Sequence, residues 1–208
     1  MIPIIGNRGD WLQTISGTRF YPLDPKPEEI DIRDIAYGLS MKGRYNGHVK
    51  QFRHYSVAEH SILLANNILY FISMMKNESP YLHNEEKRQI RLWALLHDAA
   101  EAYIPDMPRP IKRHKSMKAF CQIEKRIMRA VAKRFDLYPL EEPEIVKRAD
   151  TAILRDEKHQ CMEVQIPWNK LDLEDIPLLG VKISFIPPNE IYDIFIDTYN
   201  RLSKDKEP

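Results

Sequence analysis

Apolar residues recur at spacings of three and four through most of the chain, and polar, proline-marked stretches separate these runs. That period places side chains on one face of an α-helix, so the pattern predicts an all-α protein. The first such helix spans 28–41, with Ile32, Ile35, Ala36 and Leu39 as its stripe. Residues 42–54 read as a loop, turned at Asn46-Gly47. Ser56-Val57-Ala58-Glu59 has the form of a capping box, with Ser56 capping and Glu59 reaching back. It opens a helix to about residue 75, with Val57, Leu64, Ile68 and Phe71 inward. After a polar loop at 76–83, Asn84 is expected to cap a helix whose face reads Ile90, Trp93, Ala94, His97 and then Glu101, stopped by Pro105. Further helices are expected at 116–135 (Met117, Phe120, Ile127, Met128, Val131, Phe135), 141–158 (Ile145, Val146, Ala149, Ile153) and 189–203 (Ile191, Phe195, Tyr199, Leu202). Residues 1–27 and 159–187 read as irregular. The sum is a compact helical bundle of about six or more helices.

Length and composition narrow the class. The 208 residues fit a single domain, 1–208, with an N-terminal arm (1–27), an irregular insertion (159–187) and a C-terminal helix and tail (188–208). With 31 basic and 30 acidic residues the net charge is +1, which argues against a partner that is a nucleic acid polymer. The two cysteines, Cys121 and Cys161, make neither a disulfide framework nor a cysteine zinc site. No apolar run approaches the ~18 residues of a membrane span, and the first residues lack a secretion-signal pattern. A cytoplasmic protein with no membrane partner is expected. The seven glycines form no phosphate-cradling motif, so a P-loop or dinucleotide fold is unsupported.

The chemistry sits where charge interrupts an apolar face. His60 lies one turn before Leu64, His97 closes the stripe of its helix, Asp98 is its neighbour, and Asp150 falls between Val146 and Ile153. Taken singly, His60 reads as a core histidine and Asp150 as half of a buried ion pair with an arginine. Taken together, two imidazoles and two carboxylates suit zinc, manganese, cobalt or iron better than calcium, and leave room for water and substrate. Glu101 and Asp106 are placed for proton transfer or for orienting a water. Arg44, His48, Lys50, Arg53 and His54 crowd one loop, and Arg109 and Lys112 follow Asp106, as an anionic ligand such as phosphate would require. Trp11, Phe20 and Tyr21 either pack the arm on the core or stack on a base, and Ile32 and Tyr37 are further candidates for a base pocket.

His60, His97-Asp98 and Asp150 resemble the H…HD…D signature of the HD-domain metal-dependent phosphohydrolases. Tyr55-Ser56-Val57-Ala58-Glu59-His60-Ser61, Leu96-His97-Asp98-Ala99-Ala100-Glu101-Ala102-Tyr103 and Lys147-Arg148-Ala149-Asp150 resemble the 5′-deoxyribonucleotidase-like branch. Ile30–Ala36, the Arg44–His48 loop and Pro108-Arg109-Pro110-Ile111-Lys112 extend the likeness towards small phage-type enzymes that hydrolyse dATP to deoxyadenosine and triphosphate. The resemblance implies an HD-domain bundle with His60, His97, Asp98 and Asp150 as ligands to a divalent metal: zinc, manganese or cobalt, with magnesium accompanying a triphosphate. It implies Glu101 and Asp106 as the catalytic acidic pair, Arg44 and Lys112 as phosphate-binding residues, and a homo-oligomer, in the host cytoplasm if phage-encoded. The expected activity is dATP triphosphohydrolysis by an activated water. The alternatives are a deoxynucleoside 5′-monophosphatase using the same metal site and a non-catalytic nucleotide-binding module. The five cations Arg44, Lys50, Arg53, Arg109 and Lys112 favour the triphosphate.

Overall fold

The computed structural model describes residues 8–75, 82–168 and 178–204. Seven α-helices carry it: α1 (Ile32–Met41), α2 (Val57–Met74), α3 (Asn84–Leu96), the short α4 (Arg109–Lys112), α5 (Lys118–Arg134), α6 (Glu144–Cys161) and α7 (Pro188–Lys204). The all-α bundle expected from the periodicity is therefore what forms. The arm is not wholly irregular, because β1 (Leu12–Gln13) and β2 (Arg19–Phe20) pair antiparallel with Leu12 opposite Phe20.

α2 is the central helix. It buries residues on nearly every face, among them Val57, His60, Leu64, Ile68 and Phe71, as a helix covered on all sides must. α3 packs most extensively against it, α6 and α7 cover it further, and α1 lies against α7 and the turn that follows α3. Trp93, Tyr55, Phe20, Phe71 and Phe195 are the largest fully buried side chains of the core.

Local details depart from expectation, first in the helix expected from residue 28, which starts only at Ile32, capped by Asp31, after a separate 3₁₀ turn at Pro27–Glu29. Ser56 does cap α2, accepting from the Glu59 backbone N–H at 3.0 Å, but Glu59 does not reach back. Its buried carboxylate accepts the N–H groups of Ser184 (2.7 Å), Phe185 (3.1 Å) and Ile186 (3.1 Å), and so fastens the segment before α7 onto the start of α2. α3 is capped by His83, whose N–H donates to Glu86 at 2.8 Å, and Asn84 is its first residue. α3 also ends at Leu96, so Glu101 stands on a separate 3₁₀ turn, Ala99–Ala102, and not on the α3 stripe. α6 runs three residues beyond 158, to Cys161. Of the expected loops, 76–81 and 169–177 lie outside the described residues, as do 1–7 of the arm and 205–208 of the tail.

Phe20 is fully buried and stacks on Tyr103 with ring centroids 3.9 Å apart. Tyr21 lies under Arg8, and Arg19 lies over the exposed Trp11. The arm aromatics therefore pack the arm, and none of them lines the cavity described below.

Candidate active site

The site forms where α2, the end of α3 and α6 converge. Ser56 fixes the first turn of α2 and so fixes where His60 points. His97 caps the C-terminus of α3, directly after Leu96, and Asp98 turns away at φ −99° and ψ 13°. That exit turns the Asp98 carboxylate back, placing Oδ2 3.1 Å from His97 Nε2 and 3.9 Å from His60 Nε2. Asp150 on α6 places Oδ1 3.2 Å from His60 Nε2 and 3.9 Å from His97 Nε2. His60, His97 and Asp150 can direct one ligand atom each to a common point, with Asp98 beside them. The other oxygen of Asp150 lies 3.4 Å from Arg109 Nη2, so the expected ion pair with an arginine forms beside the cluster.

The hydrogen bonds decide what the centre can hold. His97 Nδ1 lies 2.9 Å from the Ala94 carbonyl, which only accepts, so Nδ1 carries the proton. His60 Nδ1 lies 2.6 Å from a Glu157 carboxylate oxygen, so it too carries its proton. Both Nε2 lone pairs therefore face inward, 3.3 Å apart, alongside two carboxylates. A buried gathering of acceptors needs positive charge at its centre, and a divalent cation fits this donor set. In the metal-free protein a proton takes that place: burial opposes it, but Asp98 and Asp150 carry His97 up to about 10. Asp98 and Asp150 are held low against the cost of burial, Asp98 mainly by His97 and Asp150 mainly by His60.

A cavity of about 760 Å³ opens onto this centre, and Arg44, Tyr45, Asp98, Glu101, Asp106 and Lys112 are among its lining residues. A second cavity, of about 840 Å³, shares Asp98, Arg109, Lys112, Arg113 and Asp150 with it. Glu101 is buried, and its Oε2 has no hydrogen-bond partner among the described residues. Burial, reinforced by Asp98 and Asp106, holds its carboxyl well above the usual range. Arg44 Nε is also buried and without a hydrogen-bond partner among them. Both residues line the cavity, and buried polar atoms without partners are uncommon enough to mark it as more than packing. Lys112 is tied to Glu124 at 2.7 Å while lining both cavities.

Residues 39–152, which carry His60, His97, Asp98, Asp150, Glu101, Asp106, Arg44 and Lys112, match the YfbR-like 5′-deoxynucleotidase family. The chain belongs to this family. It is also 33% identical to an uncharacterized protein of Rhodobacter capsulatus over 92% of this chain and 95% of that one. It is 29% identical to the uncharacterized protein YfdR of Escherichia coli over 93% of this chain and 96% of that one. Membership in the YfbR-like family makes the protein an HD-domain phosphohydrolase acting on deoxynucleotides and implies a divalent metal, which His60, His97 and Asp150 could hold. No helix among the described residues is long and apolar enough to cross a membrane.

Two parts of this YfbR-like site were missed in the sequence, and both use residues beyond 152. The first is Glu157, fully buried on α6, whose carboxylate meets His60, Arg44 (3.0 Å), the Tyr55 hydroxyl (2.8 Å) and the Tyr45 hydroxyl. Burial would raise its pKa, but Arg44 and His60 pull it down to about 2. The signal was available: Glu157 is seven residues after Asp150, two turns on along the same helical face. The second is the apolar wall of the cavity, formed by Tyr45, Leu154, Met162 and Trp168. The base-pocket candidates Trp11, Phe20, Ile32 and Tyr37 do not line it, since the arm and α1 pack on other surfaces. Arg53 also lies elsewhere, stacked over Phe185.

Proposed function

We propose that the protein hydrolyses deoxynucleoside 5′-monophosphates to deoxynucleoside and phosphate. The observation that supports this most directly is the cavity that joins the His60–His97–Asp98–Asp150 cluster to the unpaired Arg44 Nε and Glu101 Oε2. Those four residues hold the cation, and its imidazole-rich donor set suits zinc, manganese or cobalt over magnesium. When bound, the cation supplies positive charge against the phosphate oxygens and acidifies a water. Arg44 and Lys112 hold the phosphate. Asp106 orients the attacking water and takes its proton. Glu101, held protonated, gives a proton to the leaving 5′-oxygen as the P–O bond breaks. The base rests against Tyr45, Leu154, Met162 and Trp168.

The five cations that pointed to a triphosphate in the sequence do not gather as a free cluster in the structure. Lys50 and Arg53 are not among the lining residues of either cavity. Arg44, Arg109 and Lys112 are already balanced by Glu157, Asp150 and Glu124. Hydrolysis of dATP to deoxyadenosine and triphosphate is the second reading, favoured by the second cavity, whose lining shares Arg109, Lys112 and Arg113 with the first. A product assay with dAMP, dGMP, dCMP, TMP and the four deoxynucleoside triphosphates, on protein reloaded with Zn²⁺, Mn²⁺, Co²⁺ or Mg²⁺, decides between them. Phosphate released from monophosphates supports the proposal. Triphosphate released from dATP with dAMP untouched overturns it.

A further inference from the structure

Glu157 divides its two oxygens between two parts of the site. Oε1 accepts from His60 Nδ1 at 2.6 Å and from the Tyr55 hydroxyl at 2.8 Å. Oε2 accepts from Arg44 Nη2 at 3.0 Å and from the Tyr45 hydroxyl. One oxygen therefore serves the ring that faces the metal centre, and the other serves the loop that lines the phosphate cavity. We propose that Glu157 is a positioning residue that ties the cation centre and the Arg44–Tyr45 loop into one unit, so that the geometry of each depends on it. The inference rests on the reading of the centre as a cation site for a phosphomonoesterase.

The chemistry of the four partners supports this. All four are donors, and an ionised carboxylate has about four acceptor positions, so Glu157 is fully used. Its hold on Nδ1–H selects the His60 tautomer whose Nε2 lone pair faces the centre, and it orients the ring. Its hold on Arg44 points the guanidinium so that Nη1 stands 3.7 Å from Asp98 Oδ2. The loop needs such an anchor, because Tyr45 and Asn46 occupy the left-handed region at φ 56° and 51°. Non-glycine residues persist there only when their surroundings hold them.

A carboxylate that merely filled the core would affect stability alone. The test uses Glu157→Gln, which keeps the volume but turns an NH₂ group towards one pair of donors. Co²⁺ binding is followed by calorimetry and by the visible absorption of the bound ion, and the KM for dAMP is measured at saturating Co²⁺. Metal-free melting serves as the check on folding. We expect Co²⁺ affinity to fall about ten- to a hundredfold, the absorption spectrum to shift, and KM to rise, although Glu157 touches neither ligand.

Tyr55→Phe and Tyr45→Phe carry the test if Glu157→Gln does not fold. Removing the Tyr55 hydroxyl from Oε1 should weaken Co²⁺ roughly two- to tenfold, and removing the Tyr45 hydroxyl from Oε2 should raise KM by a similar factor. Wild-type protein that binds Co²⁺ while Glu157→Gln binds it within twofold overturns this inference alone. Phenylalanine variants that change neither quantity also overturn it. Wild-type protein that binds no Co²⁺ overturns the reading of the centre and this inference with it.

Discussion

His60 Nε2 and His97 Nε2 face each other across 3.3 Å, although the two residues are 37 positions apart and each ring has committed its other nitrogen to an acceptor. Two lone pairs so placed repel unless a cation or a proton lies between them. The metal-free protein uses a proton, with the His97 pKa carried from 6.5 to about 10 by Asp98 and Asp150 against the effect of burial. A raised histidine pKa stabilises the metal-free fold fully below the unfolded value of 6.5, and that contribution fades as the pH rises through about 10.

Metal uptake must displace this proton. At pH 7.5 we expect about one proton released per ion, and affinity rising up to about tenfold per pH unit towards pH 10. Calorimetry in buffers of different ionisation enthalpy measures both. Chelation at an initial hundredfold excess over Kd should lower Tm by roughly 5–10 °C.

Glu101→Gln keeps the size of the side chain and removes the exchangeable proton. Glu101 lies outside the cluster of His60, His97 and Asp150. We therefore expect kcat to fall by about 10² to 10⁴ with Co²⁺ affinity within twofold of wild type. A loss of metal binding in this variant would assign Glu101 to the ligand set instead.

Gly38 on α1 lies against the turn that carries Glu101. A Cβ at this position would stand 2.9 Å from Ala102 Cα and 3.2 Å from its carbonyl oxygen, both backbone atoms that can yield only if the turn shifts. Gly38→Ala should cost about 1–3 kcal/mol in urea unfolding and should lower kcat by moving Glu101. Unchanged kcat and stability together would mean that α1 and the turn can separate without consequence.

Glu59→Ala removes the acceptor for the Ser184, Phe185 and Ile186 N–H groups. Leaving these part-buried donors without their carboxylate should cost about 1–3 kcal/mol. Ser56→Ala, which loses only the helix cap, should cost about 1 kcal/mol. Hydrogen exchange separates the two, since Glu59→Ala should expose the amides at 184–186 and Ser56→Ala should not.

The helices were legible because each buries one stripe and so repeats at 3.6 residues. Ile127 and Val131 on α5, and Val146, Ala149 and Ile153 on α6, are buried as their spacing demanded. The ligand candidates were legible for a related reason: His60, His97 and Asp150 put charge on apolar faces, and chemistry of that kind requires compensation. Glu59 misled because a capping-box sequence is satisfied locally in pattern, while the actual partners are about 125 residues away, at Ser184 to Ile186. Glu101 was given the wrong element because the spacing of its side chain fits both a continued α-helix and a 3₁₀ turn.

The sequence by itself determined the all-α class, the helices with their buried faces, and the residue types able to hold a cation, since periodicity and composition are local properties. Only the tertiary structure decided that Glu157 would join His60 to Arg44, that Lys50 and Arg53 would stay out of the cavity, and that Tyr45 and Trp168 rather than Trp11 and Phe20 would wall it. Those outcomes depend on how α2, α3 and α6 pack against one another and on where the loops between them cross. Distances between groups a hundred residues apart are set by that packing and leave no periodic trace along the chain.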